Sequence, residues 1–218
     1  MSSPLIVVPT RIELQTLEPL LDAAVREAGG KIELCGFGVI AAAARTAQLI
    51  ARHEPEQVIL VGIAGAIGEQ LMIGRAYDFN EVACFGIGVG SGENYSNAVE
   101  MGFRHWDDVV GSTEISDIIS LTAEGEPGAF QLLTACAASR SPEDVRLRLQ
   151  KLPNASAEDM EGFAVALACQ VADVPLQIIR GISNVAGDRG KSHWKIADAL
   201  HSAADLVTRL LRTKRGRN

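Results

Sequence analysis

Residues 31–61 read KIELCGFGVIAAAARTAQLIARHEPEQVILV, and this stretch decides the fold class. Residues 31–35 are suited to a short strand, residues 39–53 form an alanine-rich run suited to a helix, and the apolar residues 57–61 predict a second, buried strand. A strand, a helix and a further strand in this order form the unit from which parallel sheets are built. The stretch therefore predicts an α/β fold.

The same alternation extends in both directions from this stretch. Residues 5–8 predict a buried strand that ends at Pro9, and residues 14–28 predict a helix in which Pro19 marks either a kink or a later start. Further strands are expected at 76–85, 130–138 and 176–182, further helices from 141 onward, at 160–172 and at 194–211, and a long Gly-rich loop at 86–129. We predict one domain over residues 1–218, of the α/β class, with a mostly parallel central sheet flanked by helices.

The composition limits the class of protein. The chain has 218 residues, and 47% of them are hydrophobic, which is enough for a large core without disulfide or metal support. Lys and Arg number 20 against 27 Asp and Glu, and the resulting net charge of −7 argues against a broad nucleic-acid surface. The sequence has no run long enough to span a membrane and no signal-peptide pattern at its start. We therefore expect a cytoplasmic protein without nucleic-acid or membrane partners.

Several common chemistries lack their motifs in this chain. The four cysteines lie far apart without a C-x-x-C pair, so we expect buried, reduced thiols. The four histidines show no spacing that places two metal ligands on one face. The G-x-S-x-G turn of serine hydrolases and the phosphate-binding P-loop are also missing. We expect neither a metal nor a cofactor.

Two glycine-containing segments follow predicted strands. Residues 36–41 (GFGVIA) fit G-x-G-x-x-A, the turn by which dinucleotide-binding modules bring a helix N terminus to a phosphate. The acidic residue that such a module needs after its next strand is missing, because that strand runs into the small residues 62–68 (GIAGAIG). A non-catalytic Rossmann module stays an alternative, but we prefer tight turns at the floor of a substrate site. The substrate-binding candidates in these segments are Gly36, Gly38, Ala64 and Gly65.

Three acidic residues lie close to the ends of predicted elements. Glu13 follows the first strand, Glu161 opens the apolar helix at 160–172, and Asp188 follows the last strand. Each alone is most simply a solvated or capping residue. Because sites in α/β folds form at the carboxyl ends of strands, three together point to one crevice. Converging carboxylates suit cleavage of a glycosidic bond, in which one activates water and the others bind sugar hydroxyls and offset the charge of an oxocarbenium-like transition state.

The order of these motifs resembles the nucleoside phosphorylase and nucleosidase superfamily over essentially the whole chain. The most specific part is residues 159–162 (DMEG) followed by residues 180–184 (RGISN). Within the superfamily, residues 182–189 (ISNVAGDR) followed by Trp194 resemble the futalosine hydrolases, which release hypoxanthine from futalosine on a route to menaquinone. The resemblance implies a small nucleoside as substrate and a homo-oligomer, and it implies no cofactor.

The resemblance also implies roles for individual residues. Glu13 matches the carboxylate that polarises the attacking water, and Met160 and Glu161 match residues that contact the ribose and bind its hydroxyls. Asn184 matches the base-recognising position, which is Asp in adenine-specific nucleosidases. An amide has both a donor and an acceptor and so suits O6 or N7 of a 6-oxopurine. Since an amide cannot deliver a proton to the leaving base, Asp188 is the substitute donor that we expect.

Hydrolysis and phosphorolysis differ in the anion pocket that a phosphorylase needs. Such pockets are commonly built with arginines from early loops. Here only Arg11 and Arg45 lie near the first two strand ends, Arg45 falls within a predicted helix, and a carboxylate at Glu13 would repel phosphate. We therefore predict an N-ribosyl hydrolase acting on futalosine. The alternative enzymes are a methylthioadenosine/S-adenosylhomocysteine nucleosidase and a purine nucleoside phosphorylase.

Overall fold

The computed structural model describes residues 3–107, 114–121 and 130–215. The helices in these ranges are α1 (Arg11–Glu27), α2 (Gly38–His53), α3 (Pro142–Lys151), α4 (Gly162–Val171) and α5 (Ile196–Arg215). The strands are β1 (Pro4–Val8), β2 (Lys31–Leu34), β3 (Gln57–Ala66), β4 (Ala76–Phe79), β5 (Glu81–Phe85), β6 (Gly88–Val89), β7 (Ser96–Asn97), β8 (Trp106–Asp107), β9 (Glu114–Ile115), β10 (Ile118–Ser120), β11 (Gln131–Ala135), β12 (Ala155–Asp159) and β13 (Leu176–Val185). The alternation of strands and helices confirms the predicted α/β class.

The main sheet has nine strands and is mostly parallel, as predicted. β1 pairs in parallel with β2 and β3, β3 with β13, and β11 with β5 and β12. Antiparallel pairings join β4 to β13, β10 to β5, and β12 to the end of β3. This topology brings the carboxyl ends of β1, β3, β12 and β13 into one region.

Helices cover both faces of the sheet because the side chains of its strands alternate in direction. Leu5 and Val7 of β1 pack in the core that contains α2 and α4. Ile6 and Val8 pack in the core that contains α1 and α5. Strands that are apolar on both faces are typical of parallel sheets, which is why residues 5–8 appear in the sequence as an unbroken apolar run.

Four elements differ from the predictions. β3 continues to Ala66, so the tight turn that we expected from residue 62 onward does not begin there. α1 begins at Arg11 and continues through the exposed Pro19, so a late helix start is wrong. Residues 76–85 form two strands instead of one, because the strand partner changes at Asn80: β4 pairs with β13, whereas β5 pairs with β11. Between them, the N–H of Asn80 donates to Phe130 O, and Asn80 O accepts from Leu121 N–H. β12 was not predicted, since its sequence ASAED is small and charged.

The cysteines follow the prediction with one exception. Cys35, Cys84 and Cys169 are buried, and burial raises the pKa of the Cys35 and Cys84 thiols to about 12 because it disfavours the thiolate. Cys136 is exposed, contrary to the expectation, because β11 ends at Ala135 rather than at residue 138.

The loop predicted at 86–129 contains the short strands β6 to β10 in its described part. Its residues 108–113 and 122–129 lie outside the described residues. His105 ties the segment to the core: its Nε2 lies 2.7 Å from Oδ1 of the buried Asp117, and its ring meets Phe163 edge-on at 4.9 Å between centroids. Within the described ranges, no helix combines the length and apolar character that crossing a bilayer requires.

Candidate active site

A cavity of about 350 Å³ opens where the carboxyl ends of β1, β3, β12 and β13 meet. Its volume lies in the range of about 300–1,000 Å³ usual for small-molecule sites. The lining residues are Pro9, Thr10, Ile12, Glu13, Phe37, Ile63, Ala64, Ala138, Glu158, Asp159, Met160, Glu161, Ser183, Asn184, Arg189, Trp194 and Ile196. The structure therefore brings together five of the residues selected from the sequence, namely Glu13, Ala64, Met160, Glu161 and Asn184.

Glu13 is buried and is held by the start of α1. Thr10 caps this helix: its Oγ1 accepts from the N–H of Glu13 (3.2 Å), and Oε2 of Glu13 accepts from N–H (3.1 Å) and Oγ1 (2.6 Å) of Thr10. The other carboxylate oxygen, Oε1, accepts from the N–H of Ile63 in β3 (3.0 Å). Since a carboxylate oxygen has two acceptor positions, Oε1 retains one for a ligand or a water.

Arg180 is fully buried in β13 and lies among three carboxylates. Its Nε (3.1 Å) and Nη2 donate to Oδ2 of Asp159, and Nη2 lies 3.5 Å from Oε2 of Glu161. Among the described residues, its Nη1 has no hydrogen-bond partner. A Cβ on Gly62 would lie 2.6 Å from Glu13 Oε1 and closer still to Arg180 Nη1. Only glycine at this position therefore leaves room for the carboxylate and the guanidinium beside the backbone of β3. We call Glu13, Asp159, Glu161 and Arg180 the carboxylate cluster.

Asp159 is occupied by contacts within the protein. Its Oδ1 accepts from Thr134 Oγ1 (2.6 Å), and its Oδ2 accepts from the N–H of Gly162 (2.9 Å) as well as from Arg180. Asp159 therefore fixes Arg180 and the start of α4. In the part of the chain that the structure describes, no group of three or more His, Cys, Asp and Glu side chains is arranged to hold a metal ion.

Glu161 precedes α4 and reaches the N terminus of α2. Its Oε1 accepts from the N–H of Gly38, the first residue of α2 (2.9 Å). Gly36 and Gly38 have φ angles of 94° and 79°, which glycine adopts without strain. The anion-binding end of α2 is thus occupied by a carboxylate of the protein itself.

The electrostatic environment of Glu161 is unusual for a carboxyl group. Burial raises its pKa from 4.5 to about 7 because the charged form loses solvation. Arg180 and the Gly38 N–H lower this pKa, whereas the neighbouring Asp159 and Glu13 raise it further. Near neutral pH, Glu161 consequently exchanges between its protonated and ionised forms.

Asn184 lies at a bulge near the end of β13, where its amide orientation is fixed. Ser183 Oγ donates to Oδ1 (2.7 Å), and Nδ2 donates to the backbone oxygen of Val185 (2.8 Å). Because a carbonyl oxygen only accepts, the NH₂ group must face Val185. One N–H and one acceptor position of the amide remain for a ligand in the cavity.

Asp188 does not reach the cavity, contrary to our expectation of a proton donor. One of its carboxylate oxygens accepts from the N–H of Gly190 (2.8 Å), and the other lies 3.2 Å from Nδ1 of His193. The Gly190 hydrogen bond and His193 hold the pKa of Asp188 below its usual value, so it carries no proton to donate near neutral pH. We therefore withdraw that role: Asp188 shapes the loop that follows β13.

The glycines selected from the sequence lie next to the site but do not line the cavity. Gly36 and Gly38 shape the turn before α2, and neither is among the described lining residues. Gly65 packs against Ala186, whose Cα would lie 3.3 Å from a Cβ at that position. Of the two residues selected in β3, Ala64 lines the cavity and Gly65 is not among the lining residues.

A sequence profile of the Phosphorylase superfamily matches residues 31–213. The chain belongs to this superfamily. The futalosine hydrolase of Thermus thermophilus is 33% identical over 97% of this chain and 96% of its own length. A 5′-methylthioadenosine/S-adenosylhomocysteine nucleosidase of Geobacillus sp. is 29% identical over 79% of this chain and 75% of its own.

Solved structures show the same fold. The 5′-methylthioadenosine/S-adenosylhomocysteine nucleosidase from Neisseria meningitidis, in complex with methylthio-immucillin-A, matches with a TM-score of 0.74 and 18% identity, over 98% of this chain and 100% of that one. This likeness and the family match confirm the predicted fold and the resemblance to the superfamily.

Besides the lining residues Asp159 and Arg189, two charged groups that support the site were not selected from the sequence. Arg180 was visible as a lone cation in the apolar strand LQIIRGISNV, and charges inside buried strands are almost always paired. The second is a buried pair: Arg148 Nη1 donates to Glu158 Oε2 (2.6 Å), and Ser139 donates to both oxygens of Glu158 through its N–H (2.8 Å) and Oγ (2.6 Å). Arg148 also donates to Ala137 O, so the pair holds the cavity wall beside Ala138.

Proposed function

We propose that the protein is an N-ribosyl hydrolase that releases hypoxanthine from futalosine, a step on a route to menaquinone. The observation that carries the proposal is the carboxylate cluster at the floor of the cavity. Glu13 offers a free acceptor position there, and Glu161 fills the helix terminus at which a phosphate would otherwise bind. The 33% identity to the futalosine hydrolase of Thermus thermophilus supports the same reaction and substrate.

In the proposed mechanism Glu13 is the general base. Its Oε1 accepts a hydrogen bond from a water, and the unpartnered Nη1 of Arg180, which lies beside Oε1 over the same face of Gly62, orients that water. As the water oxygen bonds to the anomeric carbon, its proton passes to Glu13. The bond from that carbon to the base nitrogen breaks, and its electron pair leaves with the base.

Glu161 and Met160 bind the ribose in this proposal. Each oxygen of Glu161 has one contact within the protein, which leaves acceptor positions for the sugar hydroxyls. These hydrogen bonds strengthen as positive charge develops on the ribose, so the ionised form of Glu161 stabilises the transition state more than the ground state.

Asn184 recognises the base. Its free N–H donates to O6 or N7 of hypoxanthine and stabilises the negative charge that develops as the base leaves. With this N–H opposite O6, a 6-amino group at the same place would meet a donor instead of an acceptor, and turning the amide to bring Oδ1 there would lose the hydrogen bond from Nδ2 to Val185 O. This geometry favours a 6-oxopurine over a 6-aminopurine nucleoside.

A panel of nucleosides tests the proposal. Release of free base from futalosine, aminofutalosine, inosine and methylthioadenosine is measured with and without phosphate. We expect futalosine to have the highest kcat/KM, no requirement for phosphate, and an oxygen from labelled water in the sugar product. A strict phosphate requirement would support a phosphorylase, and a preference for methylthioadenosine would support the nucleosidase activity named for the Geobacillus relative.

We also propose that the protein is a cytoplasmic homo-oligomer. The support is a group of exposed apolar side chains: Ile12 and Phe37, which both line the cavity, are 74% and 65% exposed, and Ile40, three residues after Phe37, is 85% exposed. Contiguous apolar surface of this kind is typical of interfaces. Light scattering of the wild type and of Ile40→Glu tests the assembly, with a shift toward monomer expected in the variant. Cell fractionation tests the location.

A further inference from the structure

The mouth of the cavity carries positive charge that the proposed chemistry does not use. Residues 188–195 (DRGKSHWK) contain Arg189, Lys191 and Lys195 against one acidic residue, in a chain whose net charge is −7. Of these cations, Arg189 lines the cavity. A local excess of one sign at a cleft attracts ligands of the opposite sign.

Arg189 is held in place without being neutralised. The Nε1 of Trp194 donates to Asp188 O (3.3 Å), and the Arg189 guanidinium lies over the Trp194 ring, 5.2 Å from its centroid. The Asp188 carboxylate is engaged by Gly190 and His193 instead. Within the described residues, Arg189 forms no ion pair.

The position of Arg189 relates it to one part of a nucleoside. Glu161 and Asn184 lie at the floor of the cavity and are only 5% and 7% exposed, whereas Ile12 and Phe37 at the mouth are more than half exposed. With the ribose hydroxyls on Glu161 and the base on Asn184, the substituent on the 5′ carbon is the part left to extend past the mouth.

We propose that Arg189 binds an anionic group at the end of the 5′ substituent, and that Trp194 and Phe37 contact the apolar part between this group and the ribose. The inference rests on the proposed function and specifies its substrate class: nucleosides with a carboxylate on the 5′ substituent, rather than those with a neutral one. Futalosine carries a carboxylate at this end, and methylthioadenosine does not. Arg189 is then the residue that selects between the two at the 5′ position.

The test compares two nucleosides with the same base, futalosine and inosine, in four proteins. These are the wild type, Arg189→Gln, Arg189→Lys and the matched control Lys191→Gln, which removes a charge from the same loop at an exposed residue outside the described lining. We expect Arg189→Gln to lower kcat/KM for futalosine by about 3–5-fold, mainly through KM, the size of an exposed charge pair. Inosine hydrolysis should change less than about twofold, and Arg189→Lys should restore part of the loss. Lys191→Gln weakens the field of the loop but keeps the Arg189 contact, so it should change kcat/KM for either nucleoside by less than about twofold.

Equilibrium binding separates failure of this inference from failure of the proposed function. Titration of each protein with futalosine, at low and high salt, reports the Arg189 contact even if no base is released, and we expect weaker and less salt-dependent binding in Arg189→Gln. Equal losses for both nucleosides, or none for futalosine, would overturn the role of Arg189 while leaving hydrolysis intact. Absence of base release from every nucleoside, with Arg189-dependent binding of futalosine, would overturn the hydrolase and keep the anion contact.

Discussion

Replacing Glu161 by Gln should raise stability and lower activity, and the size of the first effect should depend on pH. The folded-state pKa of Glu161 is raised from 4.5 to about 7, chiefly by burial. Because the pKa is raised, the folded state binds the proton more tightly than the unfolded state does. The stabilisation from this group is complete below pH 4.5 and is lost as the pH rises through about 7.

The magnitude follows from the shift. One pKa unit corresponds to about 1.4 kcal/mol, so ionised Glu161 lowers the free energy of unfolding by roughly 3 kcal/mol above pH 8. The amide of Glu161→Gln has nearly the same shape and does not ionise. For a chain of this size, the variant should therefore melt about 6–12 °C above the wild type at pH 8.5 and close to it at pH 5.

The assay is thermal and urea unfolding of both proteins between pH 5 and pH 8.5, together with kcat/KM for futalosine. Glu18→Gln, which removes one carboxylate from the exposed face of α1, controls for the change in net charge. We expect kcat/KM of Glu161→Gln to fall by about 10²–10³-fold, because the charge that offsets the cationic ribose is gone. A stability difference that does not vary with pH, or a variant as active as the wild type, would refute the reasoning.

Three further predictions concern other parts of the site. Glu13→Gln should lower kcat by about 10²–10⁴-fold, and because its oxygen completes the helix cap with Thr10 while its NH₂ group faces the N–H of Ile63, unfolding should cost about 1–3 kcal/mol less; near-normal turnover of the folded variant would exclude Glu13 as the base. Asn184→Asp should shift preference from futalosine toward aminofutalosine in a competition assay, and an unchanged ratio would reduce Asn184 to a structural residue of the bulge. Arg148→Met should cost about 3–5 kcal/mol in urea unfolding by leaving the Glu158 charge buried and unpaired, while adding Glu158→Leu should recover only part of this, because the buried Ser139 then loses the acceptor of its N–H and Oγ; an equal loss in the double variant would show that packing, rather than the unpaired charge, is responsible.

The parts of the fold that could be predicted are those whose residues interact locally or with apolar neighbours. β1, α2 and β3 have unbroken apolar runs or alanine-rich helical segments, and these patterns hold whatever lies beside them. β12 could not be predicted because its burial depends on partners distant in sequence: Glu158 is buried against Arg148, and Asp159 against Arg180. A charged strand becomes a core strand only once these partners are in place.

For the site residues, too, the position in the fold could be predicted, whereas contacts that depend on the folded structure could not. The carboxylates Glu13 and Glu161 could be selected because strand ends converge in α/β folds, so position in the chain predicts position in space. The orientation of a carboxylate after a strand is not predictable in this way. Asp188 illustrates the difference: a hydrogen bond from Gly190, two residues further on, turns it away from the cavity.

The charge balance of the carboxylate cluster links the stability of the site to its chemistry. Three buried carboxyl groups, those of Glu13, Asp159 and Glu161, face the single guanidinium of Arg180, so full ionisation would leave an excess of negative charge away from water. In the resting protein this excess is unfavourable: burial is the main cause of the raised pKa of Glu161, and the charges of Asp159 and Glu13 raise this pKa further. A ribose with oxocarbenium character supplies the missing positive charge only while the glycosidic bond breaks. The interaction that destabilises the resting cluster therefore becomes favourable in the transition state, which is the condition for lowering the barrier rather than merely binding the substrate.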